Sequence, residues 1–329
     1  MADFNARKLL LKKIAASRES EVISYITGDR QGMETQVSPE VIDIFVEHLD
    51  AIGPCKKISL ILHTRGGNTS AAWQLVNLLH TFCDELEVII PTKAMSAGTL
   101  ISLGADKIVM TKQAALGPID PSLTHPLSPQ MPTNPALRVP VSVEEVRGYL
   151  DAASDLGIKD GSQLAELLVD LSNKVHPLVL GQIFRSRSQI RFLASKLVKR
   201  QVPDADKSKK LIDFLCAESG SHDYTINRRE AADLGLKIDK PGDELYKLLR
   251  KFHLSYVEEL KLLQPYNPHA ELAGAADVSY SFPRAVIEST KSGCHQYLSE
   301  GTLRALSVGN PPQPGIKDER KFDGWRKVK

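Results

Sequence analysis

Apolar positions follow two rhythms along the first third of the chain. Residues 21–27 (Glu-Val-Ile-Ser-Tyr-Ile-Thr) are rich in β-branched and aromatic side chains and predict a strand. Val41, Ile44, Phe45 and Leu49 recur at helical spacing. Ser38 and Pro39 just before them predict an N-cap and a first-turn proline. Residues 58–62 form one apolar run, a short buried strand, and 70–81 return to the helical period. Strand, helix and strand follow over 88–90, 97–103 and 107–110, and a charged helix over 6–17 precedes them all. Strands alternating with helices predict an α/β domain with a largely parallel sheet. Its strands are continuous apolar runs, the pattern of burial on both faces.

Five prolines over 122–140 (Pro126, Pro129, Pro132, Pro135 and Pro140) predict a long loop without regular structure, either a lid or a surface excursion. From residue 142 the pattern turns helical. Ser142 and Glu145 form a capping box, and three further helices are expected over 163–175, 178–199 and 207–218. Asn227 caps a short helix that Gly235 ends. Leu245, Leu248, Leu249, Phe252, Tyr256, Leu260 and Leu263 then share one face of an amphipathic helix. Residues 278–288 and 296–298 are candidate paired strands. The expected organisation is an N-terminal helix (1–20), a main domain (21–240), a small α+β extension (241–308), and a linker with a charged tail (309–329).

Composition narrows the class. The chain has 329 residues, 42% of them hydrophobic and 25% charged, which suits a soluble globular protein with a sizeable core. A net charge of +2 gives no global reason to expect nucleic acid as a partner. Cys55, Cys83, Cys216 and Cys294 are widely spaced and read as reduced thiols, not a disulfide or zinc framework. No metal or other cofactor is expected, since no His/Cys/Asp cluster has ligand spacing. No signal peptide or membrane span is legible, so a cytoplasmic location is expected.

Three segments carry candidate chemistry. Arg65-Gly66-Gly67 follows a strand and precedes a helix, where a glycine pair lets the backbone approach a ligand; it is also an ordinary tight turn. Ser96 starts a short helix, where a hydroxyl is exposed beside free N–H groups; it is also an ordinary N-cap. His222 and Asp223 occupy a polar turn.

Together these segments resemble the Clp protease and signal peptide peptidase superfamily. The resemblance is strongest to the serine dehydrogenase proteinase (SDH) family of Clp-fold serine proteases. It is carried by Tyr25 through Arg30, His63-Thr64-Arg65-Gly66-Gly67, Ala94-Met95-Ser96-Ala97-Gly98-Thr99, Leu116-Gly117-Pro118-Ile119-Asp120-Pro121 and His222-Asp223-Tyr224, within residues 20–240. It implies a ClpP/crotonase-like β/α spiral with a helical arm. It implies Ser96 as nucleophile and the N–H groups of Gly67 and Ala97 as oxyanion hole. In Clp proteases a histidine follows the serine and an aspartate comes later. Here a carboxylate, Asp120, stands near the first position and His222 beside Asp223 at the second. The two roles are therefore exchanged, with Asp120 orienting and His222 acting as base, an order that the SDH family implies. Asp223, His125, Lys159 and Lys174 stay open as alternative base or orienter, and His63, Arg65 and Gly66 as the substrate groove.

The resulting expectation is an ATP-independent serine protease or peptidase working through a Ser96 acyl-enzyme on a peptide or protein, as a homo-oligomer. Two alternatives remain open. One is a crotonase-type acyl-CoA or thioester enzyme, which uses the same paired amides. The other is a catalytically inactive peptide-binding Clp-fold module.

Overall fold

The computed structural model describes residues 4–120, 122–218, 224–308 and 313–328. The chain forms two compact units, one of residues 1–116 with 225–329, the other of 117–224.

In chain order the first unit begins with α1 (Phe4–Arg18), β1 (Glu21–Thr27), α2 (Val41–Ile52), β2 (Cys55–His63), α3 (Thr69–Phe82), β3 (Cys83–Ile90), β4 (Lys93–Ala94), α4 (Ala97–Leu103), β5 (Lys107–Met110) and β6 (Ala115–Leu116). The second unit holds β7 (Ser122–Leu123), β8 (Gln130–Met131), β9 (Asn134–Arg138), β10 (Val141–Ser142), α5 (Val143–Asp155), α6 (Gly161–Lys174), α7 (Pro177–Leu197) and α8 (Ala205–Asp213). The first unit resumes with β11 (Ile226–Asn227), α9 (Arg228–Asp233), β12 (Ile238–Asp239), α10 (Asp243–Glu259), α11 (Pro268–Leu272), β13 (Asp277–Ser289), β14 (Gly293–Val308) and β15 (Gln313–Val328).

An eight-stranded sheet runs β12-β5-β3-β2-β1-β13-β14-β15. The β12-to-β1 half is parallel, and the rest joins it antiparallel. The central strands are buried almost throughout, as their unbroken apolar runs require. On one face α1 and α10 pack together: Leu10, Leu11 and Ile14 meet Leu249, Phe252 and Tyr256 over Ile26, Ile61 and Ile89. The amphipathic face read from the sequence thus serves its own core, except for Leu263, which lies past the end of α10 and is exposed.

A buried ionic cluster fixes α1. The Arg7 guanidinium is fully buried and donates to Glu288 of β13 at 2.6 and 3.0 Å and to Glu259 of α10. The Tyr256 hydroxyl donates to the same Glu288 at 2.6 Å. Burial alone would lower the Arg7 pKa, yet its carboxylate partners hold it above the ordinary value.

Three expectations are corrected. Ser38 does not cap α2; Ser38, Pro39 and Glu40 form a turn in which Val41 N–H donates to the Ser38 carbonyl, and the helix starts after it. The proline-rich 122–140 segment carries short strands. Pro135 sits in a two-stranded pair, where a missing N–H leaves no central ladder broken. The tail is β15, paired along its length with β14, and the extension's strands join the main sheet beside β1.

In the second unit, Val141, Val143, Val146, Val179 and Ile183 form the core. The capping box forms: Glu145 N–H donates to Ser142 Oγ (3.1 Å), and Ser142 N–H to the Glu145 carboxylate (2.8 Å).

Candidate active site

β2 ends at His63, and the chain turns through Thr64-Arg65-Gly66-Gly67 into α3, which the Asn68 side chain caps by accepting from Ala71 N–H. Beside it, β3 leads through β4 to Ser96 and α4. The two turns are tied directly: Thr64 N–H donates to Lys93 O (3.1 Å) and Met95 N–H to Thr64 O (3.0 Å). A hydroxyl chain supports the glycines. Thr27 Oγ1 donates to Thr64 Oγ1 (2.8 Å), which accepts from Gly66 N–H (3.0 Å).

Ser96 has φ 50° and ψ −110°, a left-sided conformation that costs a non-glycine residue on the order of 1–3 kcal/mol. Its side chain makes no cap bond to α4, so the ordinary N-cap explanation fails. Gly66 lies against it. A Cβ at Gly66 would stand 2.7 Å from Ser96 Cβ, and φ there is 116°, so only glycine fits. Gly67, at φ 140°, packs with equal closeness on Val37; a Cβ would stand 2.4 Å from the Val37 carbonyl oxygen. Val37 in turn pairs with both sides of Gly67, accepting from Asn68 N–H and donating to Gly66 O, each at 2.8 Å. Among the described residues the N–H groups of Gly67 and Ala97 have no hydrogen-bond partner. Two free amides and a strained, uncapped hydroxyl therefore meet where the ends of two parallel strands turn into helices. That arrangement suits attack on a carbonyl and stabilisation of the resulting oxyanion.

Arg65 is exposed, and His63, expected to line a groove, is 2% exposed. The His63 ring engages Thr92 Oγ1 at 2.6 Å and faces Asp29 at 3.5 Å, and Asp29 is ion-paired with Lys93. The His253 ring of α10 lies 5.1 Å from it, centroid to centroid. Burial alone would raise the Asp29 carboxyl, but the facing His63 ring and the ion-paired Lys93 hold it well below the usual carboxylate range. Burial and the neighbouring His63 push the His253 imidazole down to about 4. This network sits directly behind both turns, and sequence reasoning missed Asp29, Lys93 and His253. The legible signal was His253, which shares the apolar face of α10 with Leu249 and Tyr256 and so needed a buried partner.

The other candidates belong to the second unit. Asp120 is buried, and burial pushes the Cys216 thiol up to about 11, with the Asp120 charge adding in the same direction. His125 closes a local turn, its Nδ1 accepting from Leu127 N–H at 3.1 Å. Lys159 and Lys174 are exposed. His222 and Asp223 lie outside the described residues. Among the described residues no group of three or more His, Cys, Asp or Glu side chains is placed to hold a metal ion. No helix there is long and apolar enough to cross a membrane.

Residues 1–258 match the family described as ClpP-like SDH-type serine proteinases. Two uncharacterized proteins of Methanocaldococcus jannaschii are similar. One is 30% identical over 254 residues, 75% of this chain and 78% of its own length. The other is 30% identical over 196 residues, 59% of this chain and 56% of its own. Among solved structures, a mutant of the 1510-N membrane-bound stomatin-specific protease superposes with a TM-score of 0.39 at 14% identity, over 65% of this chain and 79% of that one. ClpP1 from Listeria monocytogenes gives 0.37 at 15% identity, over 72% and 99%.

Proposed function

Given that the chain belongs to the ClpP-like SDH-type serine proteinase family, we propose that it is an active, ATP-independent serine peptidase with Ser96 as nucleophile. The observation that carries this reading is the backbone of Ser96, φ 50° and ψ −110° with its hydroxyl unused by the helix it precedes. Strain of that kind persists only where surrounding structure enforces it. Ser96 Oγ attacks the peptide carbonyl carbon, and the base takes its proton. The N–H groups of Gly67 and Ala97 hold the oxyanion. The C–N bond then breaks, the base returns the proton to the leaving amine, and water releases the acyl group.

His222 is proposed as base and Asp120 as the residue that orients it, on the strength of the sequence. Asp223 and His125 are the remaining alternatives. A lysine base must be desolvated, and the exposure of Lys159 and Lys174 does not favour them. Arg65 and Gly66 border the groove in this proposal, while buried His63 supports it from behind. A peptide or protein substrate, a homo-oligomeric assembly and a cytoplasmic location complete the proposal.

Intact-mass labelling with a fluorophosphonate tests it. The parent gains one adduct, Ser96→Ala gains none, and His222→Ala reacts at least ~100-fold more slowly. A folded parent that never labels overturns the reading in favour of the peptide-binding module. Labelling that survives loss of His222 moves the base elsewhere.

A further inference from the structure

α7, α8 and the turn after Val198–Arg200 line a cleft of about 860 Å³. It lies wholly within the second unit, and none of its lining residues has a role in the chemistry proposed above. Its floor is apolar, with Val202 and Ile212 buried at the base and Pro203 beside them. Phe192 stands at the rim, 58% exposed, with Lys196 Nζ 5.4 Å from its ring centre. Every charged side chain lining the cleft is a cation: Arg191, Lys196, Lys199 and Lys209. Arg191 is already ion-paired with Asp213, but the three lysines are exposed and line the cleft around its apolar floor. On a chain whose net charge is only +2, that is a local excess.

The chemistry selects the occupant. An apolar floor ringed by lysines attracts a ligand that is apolar at its centre and anionic at its flanks. One rim phenylalanine offers no stacking platform for successive bases, which disfavours a nucleic acid. The N-terminus of α8 is occupied by its own Asp204, which accepts from Lys207 N–H at 2.8 Å, so no amide cradle awaits a phosphate. Lysine ammonium groups on flexible stems suit carboxylates scattered along a peptide. The volume suits a few residues of such a chain.

We propose that this cleft binds acidic peptide segments carrying an apolar anchor, a docking site for substrate in addition to Ser96. The binding stands on the cleft alone; its service to substrate choice rests on the peptidase reading.

The test uses the full chain carrying Ser96→Ala, so that no cleavage intrudes. The probe is a short fluorescein-labelled peptide alternating glutamate with leucine, and its control replaces glutamate by lysine. Anisotropy is expected to show saturable binding of the acidic peptide only, weakening as salt is raised. Lys196→Glu with Lys199→Glu weakens it about tenfold or more, and Lys209→Glu on the facing helix does the same. Phe192→Ala weakens it without changing the salt response. Unchanged thermal melting shows that the variants fold. In the active parent, the Lys196 and Lys199 reversals raise KM for acidic substrates and leave fluorophosphonate labelling of Ser96 untouched. Equal binding of both peptides, or binding indifferent to charge reversal, overturns the proposal. So does displacement by a single-stranded oligonucleotide at lower concentration than the acidic peptide. Absence of peptide binding together with charge reversals that dissociate an assembly in light scattering assigns the cleft to a second copy of the chain instead.

Discussion

Asp29 is the residue whose role is least visible in the chain and most visible in space. It holds Lys93, three positions before Ser96, and faces His63, three positions before Gly66. The two turns that form the candidate site are thus anchored to one carboxylate. Asp29→Asn keeps the shape but weakens both attachments. Labelling of Ser96 is expected to slow about tenfold while KM for peptide stays constant, because the Asp29 side chain supports the turns from behind and does not touch the substrate. Stopped labelling at several fluorophosphonate concentrations checks this. A residue that serves stability alone would lower the melting temperature and leave the folded fraction reacting at the parent rate. Ser96 itself was legible in the Ser-Ala-Gly segment, and Gly66-Gly67 in the glycine pair. Asp29, Lys93 and His253 were not, since they come from β1's following loop, β4 and α10, and meet only after the sheet is built.

At the scale of elements, the starts of α5 and α9 were set by local chemistry and the long strands by distant partners. α4 and β5 fall where the apolar pattern places them, and Ser142 and Asn227 cap as their types dictate. β15 could not be read in the same way. Its residues include five consecutive charged ones, Lys317-Asp318-Glu319-Arg320-Lys321, with no apolar alternation, and they become a strand because β14 supplies a ladder from Cys294↔Val328 to Val308↔Gln313. α1 depends on a distant partner too. Arg7→Met would leave Glu288 buried without its cation, beside the Tyr256 hydroxyl. Loss of about 3–5 kcal/mol is expected, read as a lower urea midpoint. Arg7→Lys keeps a charge but not the fork of bonds to Glu288, and should recover only part of it.

Across the whole molecule, buried histidines make stability depend on pH. His48 is fully buried, bonded to Ser289 at 2.7 Å and His295 at 3.0 Å, and burial with the neighbouring His295 pushes it down to about 3. His253 is held to about 4. In the unfolded chain both take up protons near pH 6.5. Between pH 6.5 and about 4 the unfolded state therefore binds more protons than the folded one, and stability falls as pH falls. Each group contributes on the order of 3 kcal/mol over that window. Melting temperature measured from pH 7 to pH 4.5 should drop, and His48→Gln and His253→Gln should each flatten the slope. A slope unchanged in both variants would assign it to other groups. Asp29 acts in the same sense at lower pH: its depressed pKa adds stability that is full above the ordinary carboxylate range and is lost as pH falls through it.

The sequence by itself determined the alternation of strands and helices, the Ser142 and Asn227 caps, the serine at a helix start, the glycine pair, and the family resemblance in which these carry meaning. Those are local properties: periodicity, backbone freedom and hydrogen-bonding groups a few residues apart. Only the tertiary structure decided that Ser96 is strained and uncapped and that Gly66 abuts it. It also decided that Asp29 and His63 brace both turns, and that β13 to β15 complete the sheet beside β1. Each of these depends on side chains or backbones brought together across many residues, and no window along the chain contains both partners.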